Sequence, residues 1–256
     1  MTWSPKQYST FEGERTRPVR DLLAAVPVAS AHSAIDVGCG PGNSTEVLAE
    51  RFPGASIRGF DSSPDMIAAA RKRLPGAVFD VLDVATWNEP GPFDVILANA
   101  VFQWVPDHAS LLPALAAKLA PGGSLAVQMP DNLAEPAHRL MRETAAEGQW
   151  ATKLAAAVAT RTPVASPDRY YRLLRASCSD VNVWRTTYYH PLAGGPHAVV
   201  EWFKGSGLRP FLDPLDPGER AAYLERYEAA IREAYPALED GTVLLPFPRL
   251  FIVATL

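Results

Sequence analysis

Between residues 30 and 135 the apolar positions change rhythm repeatedly. Short stretches at 34–37, 56–60, 77–84, 93–100 and 124–129 are dominated by apolar residues and read as strands, the fourth buried on both faces. Between them, at 46–52, 65–74 and 111–119, the spacing is helical, and Pro53-Gly54 and Pro121-Gly122-Gly123 punctuate it. Strands that alternate with helices predict a doubly wound α/β sheet. Upstream, Val19, Leu22, Leu23 and Val26 form a helical stripe closed by Pro27, placed to fold over the strand ends as a lid. Downstream the rhythm loosens. Residues 133–160 are alanine-rich and helical, 170–176 read as a helix, 181–189 as a strand, 197–235 as broken helical stretches and 250–254 as a last strand. A strand, a helical excursion and a returning strand at a sheet edge make an insertion suited to capping a site. The expected organisation is one domain over residues 1–256. Its core sheet lies at about 30–135 with strands near 181–190 and 248–255, and a helical cap comes from about 1–26, 133–165 and 194–240.

Composition narrows the function classes. Apolar content of 48% and charged content of 20% are those of a globular chain, and a net charge of −4 argues against bulk nucleic-acid binding, which needs basic surface. No apolar run is long enough to span a membrane, and the first residues lack an apolar signal core. Cys39 and Cys178 make no disulfide framework, which points to a reducing cytoplasm. The histidines show no ligand-like spacing, so no metal is expected.

The chemistry starts at Asp36-Val37-Gly38-Cys39-Gly40-Pro41-Gly42-Asn43-Ser44-Thr45. This is a strand, a turn almost stripped of side chains, and a helix start, so a ligand can lie against bare backbone and unpaired N–H groups. A dinucleotide fingerprint would need a third glycine where Asn43 stands. Asp36 would also repel a pyrophosphate, whereas it suits a cofactor bearing an ammonium and a sulfonium. Asp61 closes the second strand 23 positions after Gly38, near the spacing of an acid that takes both ribose hydroxyls. Alone it could equally cap a helix, but Ser62, Ser63 and Pro64 supply that chemistry. Met66 fits either an adenine face or the core. Asn99, Gln103 and Trp104 lie at and beyond the end of the fourth strand, where open α/β sheets bind ligands, and Gln128 and Asn132 lie at the fifth.

The glycine turn, the acids at the first three strand ends and Pro-Gly-Gly before the fifth strand together resemble the Rossmann-like S-adenosylmethionine-dependent methyltransferases. That resemblance implies a seven-stranded, mostly parallel sheet with an antiparallel C-terminal strand. It implies a cofactor held by Asp36, Gly38, Cys39, Gly40, Gly42, Asn43, Asp61, Ser62, Met66, Asn99 and Ala100, with Asp83 on the adenine amino group and Val84 as an apolar wall. Tyr8, Phe11 and Arg15 are candidates to reach the cofactor from the N-terminal helix, with plain packing and solvent exposure as the alternative. In the second half three segments couple an arginine to aromatics: 184–190, 207–211 and 246–251. Guanidinium forks pair with carboxylates, so the pattern suits a small polyanion. Those segments, with the glycine turn and Val127-Gln128-Met129-Pro130-Asp131-Asn132, are similar to the trans-aconitate methyltransferases. The similarity implies methyl transfer to a carboxylate of this tricarboxylate, with no general base and no metal. Arg209, Tyr188, Tyr189 and His190 are the expected anchors, followed by Arg185, Gln103, Trp104, Gln128 and Asn132. The alternatives are another small anionic acceptor, methylated on oxygen or nitrogen with His190 as base, and a cofactor-binding scaffold without turnover. No nucleic acid, membrane or obligate protein partner is expected.

Overall fold

The computed structural model describes residues 12–158 and 163–256. The elements in order are α1 (Glu12–Ala24), β1 (Ser33–Val37), α2 (Asn43–Arg51), β2 (Ser56–Asp61), α3 (Pro64–Arg73), β3 (Val78–Val81), β4 (Phe93–Asn99), a 3-10 turn (Phe102–Trp104), α4 (His108–Ala116) and β5 (Leu119–Pro130). There follow α5 (Pro136–Glu147), α6 (Ala151–Val158), α7 (Pro167–Arg175), β6 (Asp180–Leu192), α8 (Pro196–Lys204), α9 (Arg209–Leu212), α10 (Pro217–Ala234) and β7 (Val243–Thr255). Seven strands form one sheet in the order β3-β2-β1-β4-β5-β7-β6. The pairs β1–β2, β1–β4, β2–β3 and β4–β5 are parallel, and the C-terminal strands are antiparallel.

Two compact units divide the chain. The first holds the described residues up to Pro130, with Val164–Thr186 and Leu250–Leu256. Its middle strand, β4, shows why the apolar runs are continuous: Val95, Ile96, Leu97 and Ala98 are all inaccessible to solvent. Helices cover both faces, so neither side of the strand can be polar. The core continues through Phe60, Val84, Phe93, Phe102, Leu125, Val127, Tyr170, Leu174 and Ile252. Helix α1 packs on α2 and β5 through this same unit.

The second unit holds Asp131–Pro163 and Thr187–Arg249. Its helices α5 and α10 pack together around buried tyrosines whose hydroxyls find main-chain partners. Tyr223 donates to the Met141 carbonyl at 2.9 Å, Tyr227 donates to the Ala137 carbonyl at 3.1 Å, and Tyr235 accepts the Ala137 N–H at 3.0 Å. Helix α10 starts in a capping box in which Asp216 and Glu219 exchange side-chain and backbone bonds.

Three strand boundaries differ from those expected. β3 stops at Val81, so Asp83 lies beyond it; as a sheet edge, β3 leaves Val78 and Val81 exposed. β5 begins at Leu119, because Leu119 pairs with Phe93 before a register shift absorbs the Pro-Gly-Gly expected as a loop. β7 begins at Val243 and runs through Pro246 and Pro248, which periodicity treats as breakers.

Candidate functional site

The glycine bend leaves β1 with three left-handed residues: Gly38 at φ 71°, Gly40 at 54° and Gly42 at 91°. The N–H groups of Gly38 and Cys39 both donate to the Phe60 carbonyl, at 2.8 and 2.9 Å, tying the bend to β2. The three glycines serve different ends. A Cβ on Gly38 would meet Val101 Cγ2 at 2.4 Å, and one on Gly42 would lie 3.2 Å from the Ala70 Cα, so both are small for packing. A Cβ on Gly40 would meet nothing within 4 Å. Only there does bare backbone face open space. The Cys39 side chain points the other way, buried against Ile67, Ala70 and Phe79, and burial pushes its thiol well above the usual range. Cys39 therefore can offer a cofactor only its main chain.

Asp36 sits beneath the bend and is fully buried. Its Oδ2 accepts from Ser44 Oγ and Thr45 Oγ1, both at 2.7 Å, which assigns a role to the two residues that open α2. Its Oδ1 has no partner. Burial pushes the carboxyl up to about 6, against the two hydroxyl bonds that lower it. Asp61 is not left idle at the end of β2. Its oxygens accept the Gly40 N–H at 3.0 Å and the Ser63 N–H at 2.9 Å, while Ser63 Oγ accepts the Met66 N–H and caps α3. The carboxylate thus shapes the bend, and each oxygen retains a lone pair for a ribose hydroxyl. Burial raises its pKa, against the two backbone bonds.

β4 ends beside this bend. Asp36 pairs in register with Leu97, and Asn99 pairs with Gln128. Ala100 then turns left-handed at φ 55°, with its N–H donating to the Gln128 carbonyl at 2.8 Å and its carbonyl accepting from Gln103 Nε2 at 2.6 Å. Four buried side-chain oxygens in this unit have no hydrogen-bond partner: Asp36 Oδ1, Asn43 Oδ1, Asn99 Oδ1 and Gln103 Oε1. They belong to the carboxyl ends of β1 and β4 and to the segments that follow them. An orphaned buried acceptor costs about 1–3 kcal/mol, so four in one district mark a place that wants donors or a cation.

The other expected cofactor residues divide. Met66 is buried in the first turn of α3, whereas Ser62 is exposed. Asp83 is exposed and its Oδ1 accepts the Ala85 N–H at 2.9 Å, so it closes a turn. Val84 packs into the core with Phe60, Phe93 and Trp87. Gln128 is buried and Trp104 half-buried. Tyr8, Phe11 and the Arg15 side chain lie outside the described residues.

In the second unit, strand alternation splits the expected anchors. Tyr188 and His190 are buried, and Tyr189 between them is 62% exposed. Successive strand residues point to opposite faces, so Tyr189 cannot share a ligand with the other two from that strand. Arg185, further up β6, is exposed as well. Arg209 opens the short α9, half-buried and 4.0 Å from Asp213. Asn132 is buried, and its carbonyl accepts the Glu135 N–H at 3.1 Å.

Arg249 was not among the expected anchors. It is 5% exposed, with its guanidinium 4.7 Å over the Phe247 ring. Phe247 meets His190 edge-on at 5.6 Å, and His190 stacks on Trp202 at 4.7 Å. A buried cation thus ends an aromatic stack that includes one expected anchor. The signal was in the sequence: Leu245, Phe247 and Arg249 alternate with Leu244, Pro246 and Pro248, and period 2 puts the arginine on the apolar face.

Among the described residues no group of three or more His, Cys, Asp or Glu side chains is placed to hold a metal ion, and no helix is long and apolar enough to cross a membrane.

A methyltransferase-domain family model matches residues 11–176. The chain is 59% identical to trans-aconitate 2-methyltransferase of Methylobacterium nodulans over 98% of its own length and 97% of that protein's. Among solved structures it is similar to the YcgJ protein of Bacillus subtilis (TM-score 0.61, 12% identity, 93% of this chain and 98% of that one). It is similar also to phosphoethanolamine N-methyltransferase 2 of Haemonchus contortus in complex with phosphomonomethylethanolamine and S-adenosylhomocysteine (TM-score 0.56, 16% identity, 93% of this chain and 52% of that one). At such identities the structures speak for a shared fold, and the curated relative speaks for kinship along the whole chain. The chain belongs to the methyltransferase-domain family and, within it, to the trans-aconitate 2-methyltransferases.

Proposed function

We propose that this enzyme transfers the methyl group of S-adenosylmethionine to one carboxylate of trans-aconitate, giving a monomethyl ester and S-adenosylhomocysteine. The observation that carries the reading is the district of partnerless buried oxygens at the ends of β1 and β4. Acceptors in that number suit a ligand bearing an ammonium and a sulfonium, and they would penalise a phosphate. S-adenosylmethionine supplies an electrophilic methyl group on that sulfonium. Asp36 would take the ammonium, Gly40 would offer bare backbone, Asp61 would accept from the ribose, and Met66 would face the adenine. Asp83, exposed at its turn, is free to swing only by giving up the Ala85 N–H. Asn99 and Gln103 would orient what lies at the strand ends.

The acceptor asks little of acid–base chemistry. A carboxylate with a pKa near 4 is already ionised at neutral pH, so no base has to remove a proton. What the protein must supply is desolvation and alignment, and orientation alone can contribute roughly 7–11 kcal/mol. In the second unit Arg249 would form the bidentate pair with one carboxylate, and His190 and Tyr188, on their own buried face, would donate to its neighbours. Arg209 would serve a further carboxylate by exchanging its long contact with Asp213. Two buried free thiols suit a reducing compartment, and the cytoplasm is the proposed location. The enzyme would act on small molecules, without nucleic acid or a membrane.

The test is to incubate the protein with methyl-labelled S-adenosylmethionine and, separately, trans-aconitate, cis-aconitate and citrate, following products by mass spectrometry. One labelled monomethyl ester, formed fastest from trans-aconitate, is expected. Binding of the donor with no labelled ester from any acid would leave a scaffold instead. With the donor saturating, a carboxylate acceptor should hold the rate flat down to about pH 5; a steady fall below pH 7 would point to an acceptor that needs a base.

A further inference from the structure

The segment after β4 is unusually constrained. It is bracketed by Ala100 at φ 55° and Asp107 at φ 59°, the non-glycine residues with left-handed backbone among those described. Such a conformation costs an L-residue about 1–2 kcal/mol, less for Asp, and persists only where the surroundings enforce it. Between the two lie Val101, which fills the space over Gly38, and Gln103, whose Oε1 is one of the partnerless oxygens.

One side chain outside the bend reaches into this segment. His108, the first residue of α4, approaches the Phe102 carbonyl through Nε2 at 2.8 Å and the Tyr170 hydroxyl through Nδ1 at 2.8 Å. The Tyr170 oxygen also accepts the Ala165 N–H at 3.1 Å. In the neutral imidazole these contacts determine the tautomer. A carbonyl can only accept, so Nε2 carries the proton; Nδ1 then accepts from Tyr170, whose oxygen accepts from Ala165. The Phe102 carbonyl takes the Val105 N–H at 3.0 Å as well, so both its lone pairs are used. Phe102 and Tyr170 are fully buried, and the two His108 ring nitrogens, the Tyr170 hydroxyl, the Ala165 N–H and the Phe102 carbonyl all have hydrogen-bond partners. Fully satisfied buried networks hold one geometry.

We propose that His108 and Tyr170 are positioning residues of the methyl-transfer reaction: together they clip the Phe102–Trp104 turn, between the left-handed Ala100 and Asp107, in the form that aims Gln103 into the site. Neither touches the reactants. Tyr170 enters from α7, far along the chain, so the clip makes the turn depend on a segment outside the β–α units that build the cofactor site. The inference rests on Gln103 serving the site as proposed above. Without the hydroxyl, Ala165 and His108 each lose a partner and the turn is free to relax, and small displacements at a reacting centre carry large rate penalties.

A double-mutant cycle tests it, using the full-length enzyme with trans-aconitate. Tyr170→Phe should lower kcat about tenfold, with KM and the Kd of S-adenosylhomocysteine changed by less than about twofold. His108→Gln, which keeps an amide donor for the Phe102 carbonyl, should retain more activity than His108→Ala. In a Gln103→Ala background, Tyr170→Phe should cost little further, because both act through one side chain. If the two losses multiply, the clip acts elsewhere and the proposal falls while Gln103 keeps its place. If Gln103→Ala is as active as the parent, Gln103 leaves the site and this inference goes with it, although ester formation itself stands. Should Tyr170→Phe prove poorly folded by its melting curve, His108→Ala completes the same cycle.

Discussion

The two units build binding in opposite ways. The first sets out its candidate cofactor site in main chain and in oxygens left without partners: a glycine bend, a fully buried Asp36 and the ends of two parallel strands. The second gathers rings and a cation, with Trp202, His190, Phe247 and Arg249 in one stack. On the proposed function, the contrast follows the charges to be received. A cationic methyl donor is best met by acceptors held in place by the fold. A tricarboxylate is best met by donors whose water has been stripped by aromatic surface, where charge-assisted bonds gain strength.

Arg249→Met should break this comparison most severely. It keeps the packing on Phe247 but removes the guanidinium, and kcat/KM for trans-aconitate should fall about 150- to 4,000-fold, in line with about 3–5 kcal/mol for an orphaned buried charge partner. Cofactor affinity, read by titration calorimetry, should stay put. A loss of both would make Arg249 a structural residue.

Asp36→Asn comes next. Removing the charge should raise the cofactor Kd about 10- to 100-fold, the range of a charge-assisted bond. The same change should stabilise the protein without cofactor at pH 7. Because its folded pKa is raised from 3.8 to about 6, the native protein holds an extra proton between those values. Stability is therefore lost as pH rises through that window and stays lost above it. Asn has no such cost, so Tm should rise by a few degrees. Affinity responds in the opposite sense: the ammonium needs the ionised acid, so cofactor binding should weaken as pH falls through about 6. A binding curve flat from pH 7.5 to 5 would take the ammonium away from Asp36.

Gly40→Ala should have a middling effect. Its Cβ meets no neighbour, so stability should drop by only about 1 kcal/mol for the left-handed backbone, while the methyl intrudes where the cofactor would lie and raises Kd about tenfold. Equal cofactor affinity would show that the open space beside Gly40 is not used. Tyr189→Phe sharpens the picture from below. Its exposed ring points away from the face shared by Tyr188 and His190, so kcat/KM should change by less than about twofold. A larger loss would mean that the exposed face of β6 takes part.

The sequence was most informative about the first unit. Apolar runs mark every strand of the β–α half, and the spacing of Asp36, the glycines and Asp61 marks the candidate site, since both follow from backbone geometry over a few residues. The spacing that marks Asp61 as a ribose acid does not show its bonds to Gly40 and Ser63, because such bonds require the bend already folded. Ser44 and Thr45 looked like a helix start and proved to be the partners of Asp36. In the second unit, adjacent residues were grouped as one anchor set, Tyr188, Tyr189 and His190, although a strand must part them. Arg249, in one of the three arginine–aromatic segments, is absent from the named anchors although its period-2 neighbours declare its face.

By itself, then, the chain's pattern determined the alternating strands and helices, the bare turn with its acids, and an arginine–aromatic insertion. Each is a short-range consequence of side-chain period and glycine stereochemistry. Only tertiary structure decided which polar atoms remain unpaired, which arginine is buried, and that Tyr170 reaches His108 across 62 positions of chain. Those outcomes depend on contacts between distant segments, whose burial and hydrogen bonding no local spacing encodes.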